Sequence, residues 1–240
     1  MNRVLILGVP VDAISEAGAV EWVADAIRAG QPRQVATVNP EFIMRARHDG
    51  RFLNVLSAAD LCIPDGYGVV WAARRLGHRL PSRVAGVDLI RSLAARGARE
   101  GWRLFFLGAG PGVAESAAAA LEKGNPGLVV AGCLAGSPDP AQDTVTAAAV
   151  RSARTDLLLV AYGAPGQDLW IARNLHQSGA RVAIGVGGAF DFISGGARRA
   201  PRWMRERGLE WLHRLVQEPW RWRRMLALPR FALAVLRQAR

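Results

Sequence analysis

Short apolar runs recur along most of the chain, and each is followed by a polar or glycine-rich turn. They are apolar at successive positions, which is typical of strands that are covered on both faces of a parallel sheet. We predict strands at residues 3–9, 34–38, 61–63, 103–108, 128–132, 156–162 and 181–187. We interpret the first run as a buried strand and not a signal peptide, because Asp12 and Glu16 follow it at once with no clear cleavage site.

Helical patterns occupy the segments between these runs. The spacing of apolar residues predicts helices over 15–30, 86–100, 112–124 and 164–179. Ser15 is a suitable N-cap for the first helix, and Gly30 is a typical residue to end it. The alternation of strands and helices predicts an α/β fold with a largely parallel sheet flanked by helices.

The pattern changes after Gly196, where Pro219 and Pro229 break a helical apolar spacing into short segments. Residues 198–240 contain 12 Arg and 3 Glu, a net charge of +9, while the remaining 197 residues carry 19 basic and 17 acidic groups, or +2. Four of the eight Trp lie in the same region. We therefore divide the chain into a core, 1–196, and a small basic helical appendage, 197–240, that meets an anionic partner such as a membrane surface.

Other compositional features exclude several classes of protein. Cys62 and Cys133 both lie in apolar surroundings, which favours reduced thiols over a disulfide framework or a metal site. No apolar run approaches the length that is needed to cross a bilayer. The four His show no metal-ligand spacing, and no Asp-x-Asp pair occurs, which weakens a metal-dependent nucleotide-sugar mechanism.

The carboxyl ends of the predicted strands carry the candidate chemistry, because open α/β sheets bind ligands there. Asp65 stands between Pro64 and Gly66 after one strand, and a helical pattern follows. The residue types alone allow two interpretations, a helix cap and a catalytic base, and the cap is the more common role. Polar residues also follow the neighbouring strands, among them Thr37, Asn39, Gln167 and Asp191.

Two alternative functions rest on local features. The segment LGAGPGVAE, 107–115, partly matches a dinucleotide fingerprint, but Val113 occupies the position of the third glycine, so a dinucleotide-dependent oxidoreductase is a weak alternative. The basic tail suggests a nucleic-acid-binding protein, but it contains no recognisable nucleic-acid module.

Six ordered segments carry a resemblance to a known family. They are 37–52, 59–77 (ADLCIPDGYGVVWAARRLG), 83–90, 105–118, 161–171 (AYGAPGQDLWI) and 185–195 (GVGGAFDFISG). Each segment is a weak signal by itself, but their order over nearly the whole chain is specific. Together they resemble the WecG/TagA/CpsF glycosyltransferases.

The resemblance implies a Rossmann-like core and an inverting, metal-independent transfer of an N-acetylmannosamine-type sugar. The implied donor is a UDP-sugar, and the implied acceptor is a sugar linked to undecaprenyl diphosphate, used for bacterial surface polysaccharides such as teichoic acid, common antigen or capsule. It implies no cofactor, no nucleic-acid partner and a peripheral position on the cytoplasmic face of the cell membrane, and it allows a homo-oligomer.

The resemblance also implies roles for particular residues. It makes Asp65 the base that takes the proton of the acceptor hydroxyl. Five polar residues match its substrate pocket, and three appendage arginines match its phosphate- or membrane-binding positions. These are Thr37, Asn39, Arg83, Gln167 and Asp191 for the pocket, and Arg214, Arg221 and Arg224 for the appendage.

Overall fold

The computed structural model describes residues 2–239, except for the side chains of Glu206 and Arg221. Within that range the chain forms eight strands and thirteen α-helices. The strands are β1 (Arg3–Ile6), β2 (Val9–Asp12), β3 (Arg33–Val38), β4 (Leu61–Pro64), β5 (Arg103–Gly108), β6 (Val129–Leu134), β7 (Leu157–Ala161) and β8 (Val182–Gly185).

Six of these strands form one sheet in the order β4-β3-β8-β7-β5-β6, and every neighbouring pair is parallel. The predicted largely parallel sheet is thus confirmed, and the six predicted runs from 34–38 onwards each overlap one of its strands, with ends shifted by at most two residues. Because the strands all run the same way, the loops after β3, β4, β5, β7 and β8 emerge at one edge of the sheet. That edge is where an open α/β sheet binds its ligand.

The prediction of one strand at 3–9 is wrong. The run folds back on itself as an antiparallel hairpin, in which Ile6 pairs with Val9 and Arg3 pairs with Asp12. Leu7 and Gly8 make the turn with φ angles of 51° and 85°, the left-handed conformation that two-residue hairpin turns require. The hairpin forms a separate two-stranded sheet, joined to β4 by a 2.7 Å hydrogen bond from the Cys62 backbone amide to Asp12 Oδ2.

Helices cover both faces of the parallel sheet, and the four predicted helices are confirmed with ends shifted by at most two residues. The helices of the first 196 residues are α1 (Glu16–Ala29), α2 (Pro40–Ala46), α3 (Gly50–Ala58), α4 (Tyr67–Arg75), α5 (Gly86–Glu100), α6 (Val113–Gly124), α7 (Asp143–Ser152), α8 (Gly166–Ser178) and α9 (Ala189–Ile193). Ser15 caps α1 by accepting a 3.1 Å bond from the Gly18 amide, and Gly30 ends it in the left-handed conformation. Buried apolar side chains of α1, α5, α6 and α9 pack together with residues of the sheet in one cluster.

The basic tail forms α10 (Arg202–Glu206), α11 (Glu210–Gln217), α12 (Trp222–Met225) and α13 (Ala227–Gln238). The last helix packs against α2 and α4, and it buries Phe231 and Val235 in the apolar cluster beneath them. All four Trp of the tail are exposed by 41% or more. No helix between residues 2 and 239 is long and apolar enough to cross a membrane. The division of the chain at residue 196 stays a prediction.

Candidate active site

A cleft of about 440 Å³ lies at the carboxyl edge of the parallel sheet. Loops after five strands line one side of it, and α11 and α12 of the tail line the other. Seven of the residues singled out in the sequence converge on this cleft: Thr37, Asn39, Asp65, Gln167, Asp191, Arg214 and Arg224.

Asp65 lies in the short loop between β4 and α4, where its backbone amide donates a 2.8 Å bond to the Val38 carbonyl. It does not cap the helix. The N-cap position of α4 is Gly66, and no side chain accepts a hydrogen bond there. Asp65 as a residue is half-buried at the cleft wall, and its carboxylate accepts no hydrogen bond within the described part of the chain. The helix-cap interpretation of Asp65 is therefore wrong, and its oxygens are available to a ligand.

The surroundings of Asp65 raise the pKa of its carboxyl from 3.8 to about 7. The largest cause is burial, which disfavours the charged form. Arg83 and Arg199 oppose this rise by attraction, while Glu210 and Asp88 add to it by repulsion. A carboxylate whose pKa is near 7 is a much better proton acceptor than an ordinary aspartate and is still half ionised at neutral pH.

Thr37 and Gln167 form the floor of the cleft. Thr37 is buried at the end of β3 and donates a 2.8 Å hydrogen bond to the Gly185 carbonyl. Gln167 is fully buried, and its Oε1 accepts a 2.9 Å bond from the Gly187 amide. The Gln167 Nε2 group is buried without a hydrogen-bond partner among the described residues. This amide is therefore a candidate donor to a ligand, because a buried polar group without a partner is costly.

Position 185 has room only for a glycine, because the side-chain amide of Gln167 lies directly against the backbone of Gly185. A Cβ atom at Gly185 would come within 2.5 Å of Gln167 Nε2 and 3.0 Å of Asp168 Oδ1. Asp168 is itself fully buried, and burial raises the pKa of its carboxyl to about 7. The sequence assigns no role to Asp168, although an acidic residue beside Gln167 in the first turn of a helix that follows a buried strand is a signal.

Asn39 and Arg224 connect the cleft to the tail. Asn39 caps α2, since its Oδ1 accepts a 3.0 Å hydrogen bond from the Phe42 amide. Arg224 of α12 donates from Nε and Nη2 to one oxygen of Glu41, at 2.9 and 2.7 Å. This ion pair joins the tail to α2 at the rim of the cleft.

Asp191 and Arg214 approach each other across Gly188. A Cβ atom at Gly188 would lie 3.2 Å from Asp191 Oδ2 and 2.9 Å from Arg214 Nη2, so both side chains lie close against the glycine backbone. The Arg214 guanidinium also stacks over the Phe192 ring, 4.7 Å from its centroid. This arrangement holds a guanidinium of the tail against the loop that follows β8.

Two of the sequence-derived residues are placed differently. Arg83 does not line the cleft: it lies in a neighbouring groove, where its Nη1 donates a 2.8 Å bond to Glu210. Arg221 has its backbone in a short 3-10 turn, but its side chain lies outside the described residues.

A chain of ion pairs next to Asp65 was missed in the sequence. Glu210 of α11 binds Arg83 and also lies 3.4 Å from Arg199, and Arg199 forms a two-pronged pair with Asp88 of α5. The tail, the loop before α5 and α5 itself are thereby joined at one point. The only available signal was that the strongly basic tail contains just three Glu.

The glycine-rich segment after β5 borders the cleft through Ala109 and Gly110. Gly108 is required there, because a Cβ atom would lie 2.8 Å from the Ala161 backbone. Helix α6 begins at Val113, where a dinucleotide fingerprint would place its third glycine. Among residues 2–239, no group of three or more His, Cys, Asp and Glu is arranged to hold a metal ion.

The fold and the cleft define a class of protein, the Rossmann-like α/β proteins. In this chain an aspartate lines the cleft, and an arginine-rich tail forms one of its sides. The sequence profile described as the glycosyl transferase WecG/TagA/CpsF family matches residues 4–240. The chain therefore belongs to the WecG/TagA/CpsF glycosyltransferase family, as the six ordered segments predicted.

Named relatives make the similarity more specific. The chain is 38% identical over 205 residues to the N-acetylglucosaminyldiphosphoundecaprenol N-acetyl-beta-D-mannosaminyltransferase of Bacillus subtilis (strain 168), an alignment that covers 85% of this chain and 79% of the relative. It is 29% identical over 240 residues to the protein of the same name from Staphylococcus aureus (strain MW2), covering 99% of this chain and 94% of that one. The family favours sugar transfer over the oxidoreductase and nucleic-acid alternatives.

Proposed function

We propose that this glycosyltransferase moves an N-acetylmannosamine-type sugar from a UDP donor to a sugar linked to undecaprenyl diphosphate. The names of the relatives support the transferred sugar and the lipid-linked acceptor. The UDP donor, inversion and independence from metal follow from the family resemblance and are part of the proposal. The single structural observation that carries it is the Asp65 carboxyl, which faces the cleft without a hydrogen bond and has a pKa near 7.

In the proposed reaction, Asp65 accepts the proton of the acceptor hydroxyl as its oxygen attacks the anomeric carbon of the donor. The bond between that carbon and the diphosphate oxygen breaks, and UDP leaves with the bonding electrons. Attack from the opposite side inverts the configuration of the anomeric carbon. General-base catalysis of this kind typically contributes about 10²–10⁴-fold to the rate.

The leaving diphosphate gains negative charge, and guanidinium groups are suited to stabilise it. Arg214 and Arg224 both line the cleft on the side of the tail. The Gln167 amide, which has no partner among the described residues, is placed to bind a polar group of the donor. We assign these three side chains to the donor, with Thr37 and Asn39 supporting the backbone of the cleft.

The position of the protein follows from its substrate. A lipid-linked acceptor resides in a membrane, and the tail carries the charge and the exposed Trp that suit the surface of an anionic leaflet. We propose a peripheral position on the cytoplasmic face of the cell membrane.

A panel of UDP-sugars tests the reaction. The full chain is incubated with each UDP-sugar, a short-chain lipid-diphosphate N-acetylglucosamine acceptor and either EDTA or added Mg²⁺. We expect UDP release that depends on the acceptor, is fastest with UDP-N-acetylmannosamine and is unchanged by EDTA. Acceptor-independent release would contradict the transfer, and loss of turnover in EDTA that Mg²⁺ restores would contradict independence from metal.

A further inference from the structure

A second cavity of about 390 Å³ adjoins the cleft at Asp65. The two cavities share a wall, to which Asn39, Asp65 and Glu210 all contribute. The second cavity, which we call the apolar groove, is lined beyond that wall by Tyr67, Trp71, Leu228, Phe231 and Ala232. Asp65 is therefore accessible from two directions, and the two cavities differ in chemistry.

The apolar groove runs between α4 and α13. Tyr67 and Trp71 are four residues apart and so lie on one face of α4, while Leu228, Phe231 and Ala232 share one face of α13. The helices come close at Gly68, where a Cβ atom would lie 2.7 Å from Pro40 Cγ and 3.7 Å from the Phe231 ring. The tight contact is with Pro40 of α2, so the glycine lets α4 pack closely on α2, while the Phe231 ring of α13 lies beside it at ordinary van der Waals distance and forms one wall of the groove.

The aromatic residues of α4 are too exposed to serve only as packing for the apolar core. Phe231 is buried and belongs to the core, but Tyr67 is 47% exposed and Trp71 is 40% exposed. Neighbouring exposed aromatic side chains beside a cavity commonly mark a binding site. The open end of the groove is therefore apolar and accessible, while its inner end reaches the proposed base.

Guanidinium groups flank the groove close to Asp65. Arg83 lines it, and an adjoining cavity is lined by Tyr67, Arg83, Arg202 and Arg205. The Arg205 Nε group is buried and makes no hydrogen bond to the described residues. A ligand that combines an anionic group with an apolar chain matches this arrangement in both charge and hydrophobicity.

We propose that the apolar groove binds the first isoprenoid units of the lipid-linked acceptor. The diphosphate then lies near Arg83 and Arg205, and the acceptor sugar reaches Asp65 from the groove while the donor approaches it from the cleft. This inference rests on the proposed function and adds to it the location of the acceptor lipid. The base consequently stands between the two substrates, as a direct displacement requires.

Chain-length dependence tests the proposal without membranes. The full chain is assayed at saturating donor with water-soluble acceptors that carry one, two or three isoprene units on the same sugar diphosphate. Each methylene group that moves from water into an apolar site is worth about fourfold in binding. We expect kcat/KM to rise at least about tenfold from the shortest to the longest acceptor.

Variants of the groove should remove this dependence. In Trp71→Ala and, separately, in Ala232→Leu, we expect the ratio of kcat/KM between the longest and shortest acceptors to fall towards one. Val145→Ala is the matched control, because Val145 is an exposed apolar residue of α7 that lines neither cavity. Thermal unfolding shows whether each variant is folded.

The outcomes separate the two proposals. If both groove variants keep the wild-type ratio while the wild type transfers sugar, the apolar groove does not bind the lipid and the proposed function stands. If the wild type consumes no acceptor of any length with any UDP-sugar, the proposed function fails and the groove inference fails with it.

Discussion

Burial raises the pKa of two carboxyl groups, Asp65 and Asp168, to about 7, but their surroundings differ. Asp65 faces the cleft, where Arg83 and Arg199 lower the pKa of its carboxyl and Glu210 and Asp88 raise it. Asp168 is fully buried behind the cleft, and the neighbouring Gln167 side chain lowers the pKa of its carboxyl by less than burial raises it. A group of this kind is a cost to the fold whenever it is ionised.

Stability should therefore depend on Asp168 in a defined direction. The pKa in the folded protein is raised above its ordinary value of 3.8, so the folded state is favoured fully at low pH and loses stability as pH rises through about 7. We expect Asp168→Asn to reduce the fall in Tm between pH 5 and pH 8. The ionisation of Asp168 costs the wild type on the order of a few kcal/mol in its free energy of unfolding over this pH range, and the substitution removes that cost.

Thermal unfolding of the wild type and the variant at both pH values checks this. Asp25→Asn, which alters an exposed carboxylate of α1, is the control and should leave the fall unchanged. If the Tm of Asp168→Asn falls as much between pH 5 and pH 8 as the Tm of the wild type, Asp168 is not protonated in the folded protein.

Among the elements, α11 has the most direct influence on the proposed base. Its Glu210 binds Arg83 and approaches Arg199, while Asp88 binds Arg199 from α5. These four groups are the charges that act on Asp65, two lowering its pKa and two raising it. Docking of the tail thus adjusts the basicity of a residue in the core.

Removal of the Glu210 charge should move the pH profile. In the wild type, log kcat/KM should rise with pH at a slope of one and level off above about pH 7, because Asp65 must be ionised to accept a proton. Glu210→Gln removes a repulsion and releases Arg83 from its partner, and both effects lower the pKa of Asp65. We expect the inflection to move to lower pH.

Initial-rate profiles between pH 5 and pH 9 measure this shift. Glu122→Gln removes an equal charge from the exposed face of α6 and should keep the wild-type inflection. A Glu210→Gln profile that superimposes on the wild type would show that the ion-pair chain is only structural.

The sequence could predict the parallel strands and their helices because uninterrupted apolar runs and capping residues are local signals. Ser15 and Gly30 determine the ends of α1 by themselves, whereas the run at 3–9 was misread because the turn at Leu7 and Gly8 leaves the apolar pattern intact. The convergence of Thr37, Asp65 and Gln167 follows from the geometry of parallel strands.

Contacts of the tail could not be predicted in the same way. The pairing of Glu210 with Arg83 and the burial of Phe231 join residues that are far apart in the sequence, and no local pattern encodes such contacts. Asp65 does not cap α4 because the helix begins at Tyr67 with Gly66 as its N-cap, a boundary that the residue types alone do not fix.

At the scale of the whole molecule, the tail buries some of its apolar side chains against the rest of the protein and exposes others to solvent. Helix α13 buries Phe231 and Val235, so deletion of 197–240 would expose the apolar cluster under α2 and α4. Val216 and Trp220, in contrast, are 74% and 72% exposed. Substitutions at these exposed positions test membrane binding without removing core residues.

We expect a double variant, Val216→Ser with Trp220→Ser, to bind anionic vesicles more weakly than the wild type and to keep its Tm. Cosedimentation with vesicles of anionic and of neutral lipid measures this. Val145→Ser is the control for an exposed apolar residue outside the tail. Binding should also weaken with added salt, because the arginines of the tail act through screened charges. If the double variant binds the vesicles as strongly as the wild type, α11 and the turn after it do not contact the membrane.

In the proposed mechanism, sugar transfer to the lipid-linked acceptor depends on Asp65 as the base. The most direct measurement compares kcat/KM of Asp65→Asn with those of the wild type and Asp25→Asn, using UDP-N-acetylmannosamine and the lipid-diphosphate acceptor. We predict a loss of about 10²–10⁴-fold for Asp65→Asn, with an unchanged fold and no rise of the residual rate towards pH 7, and no loss for Asp25→Asn. A folded Asp65→Asn variant that keeps the wild-type rate and pH profile would contradict the account.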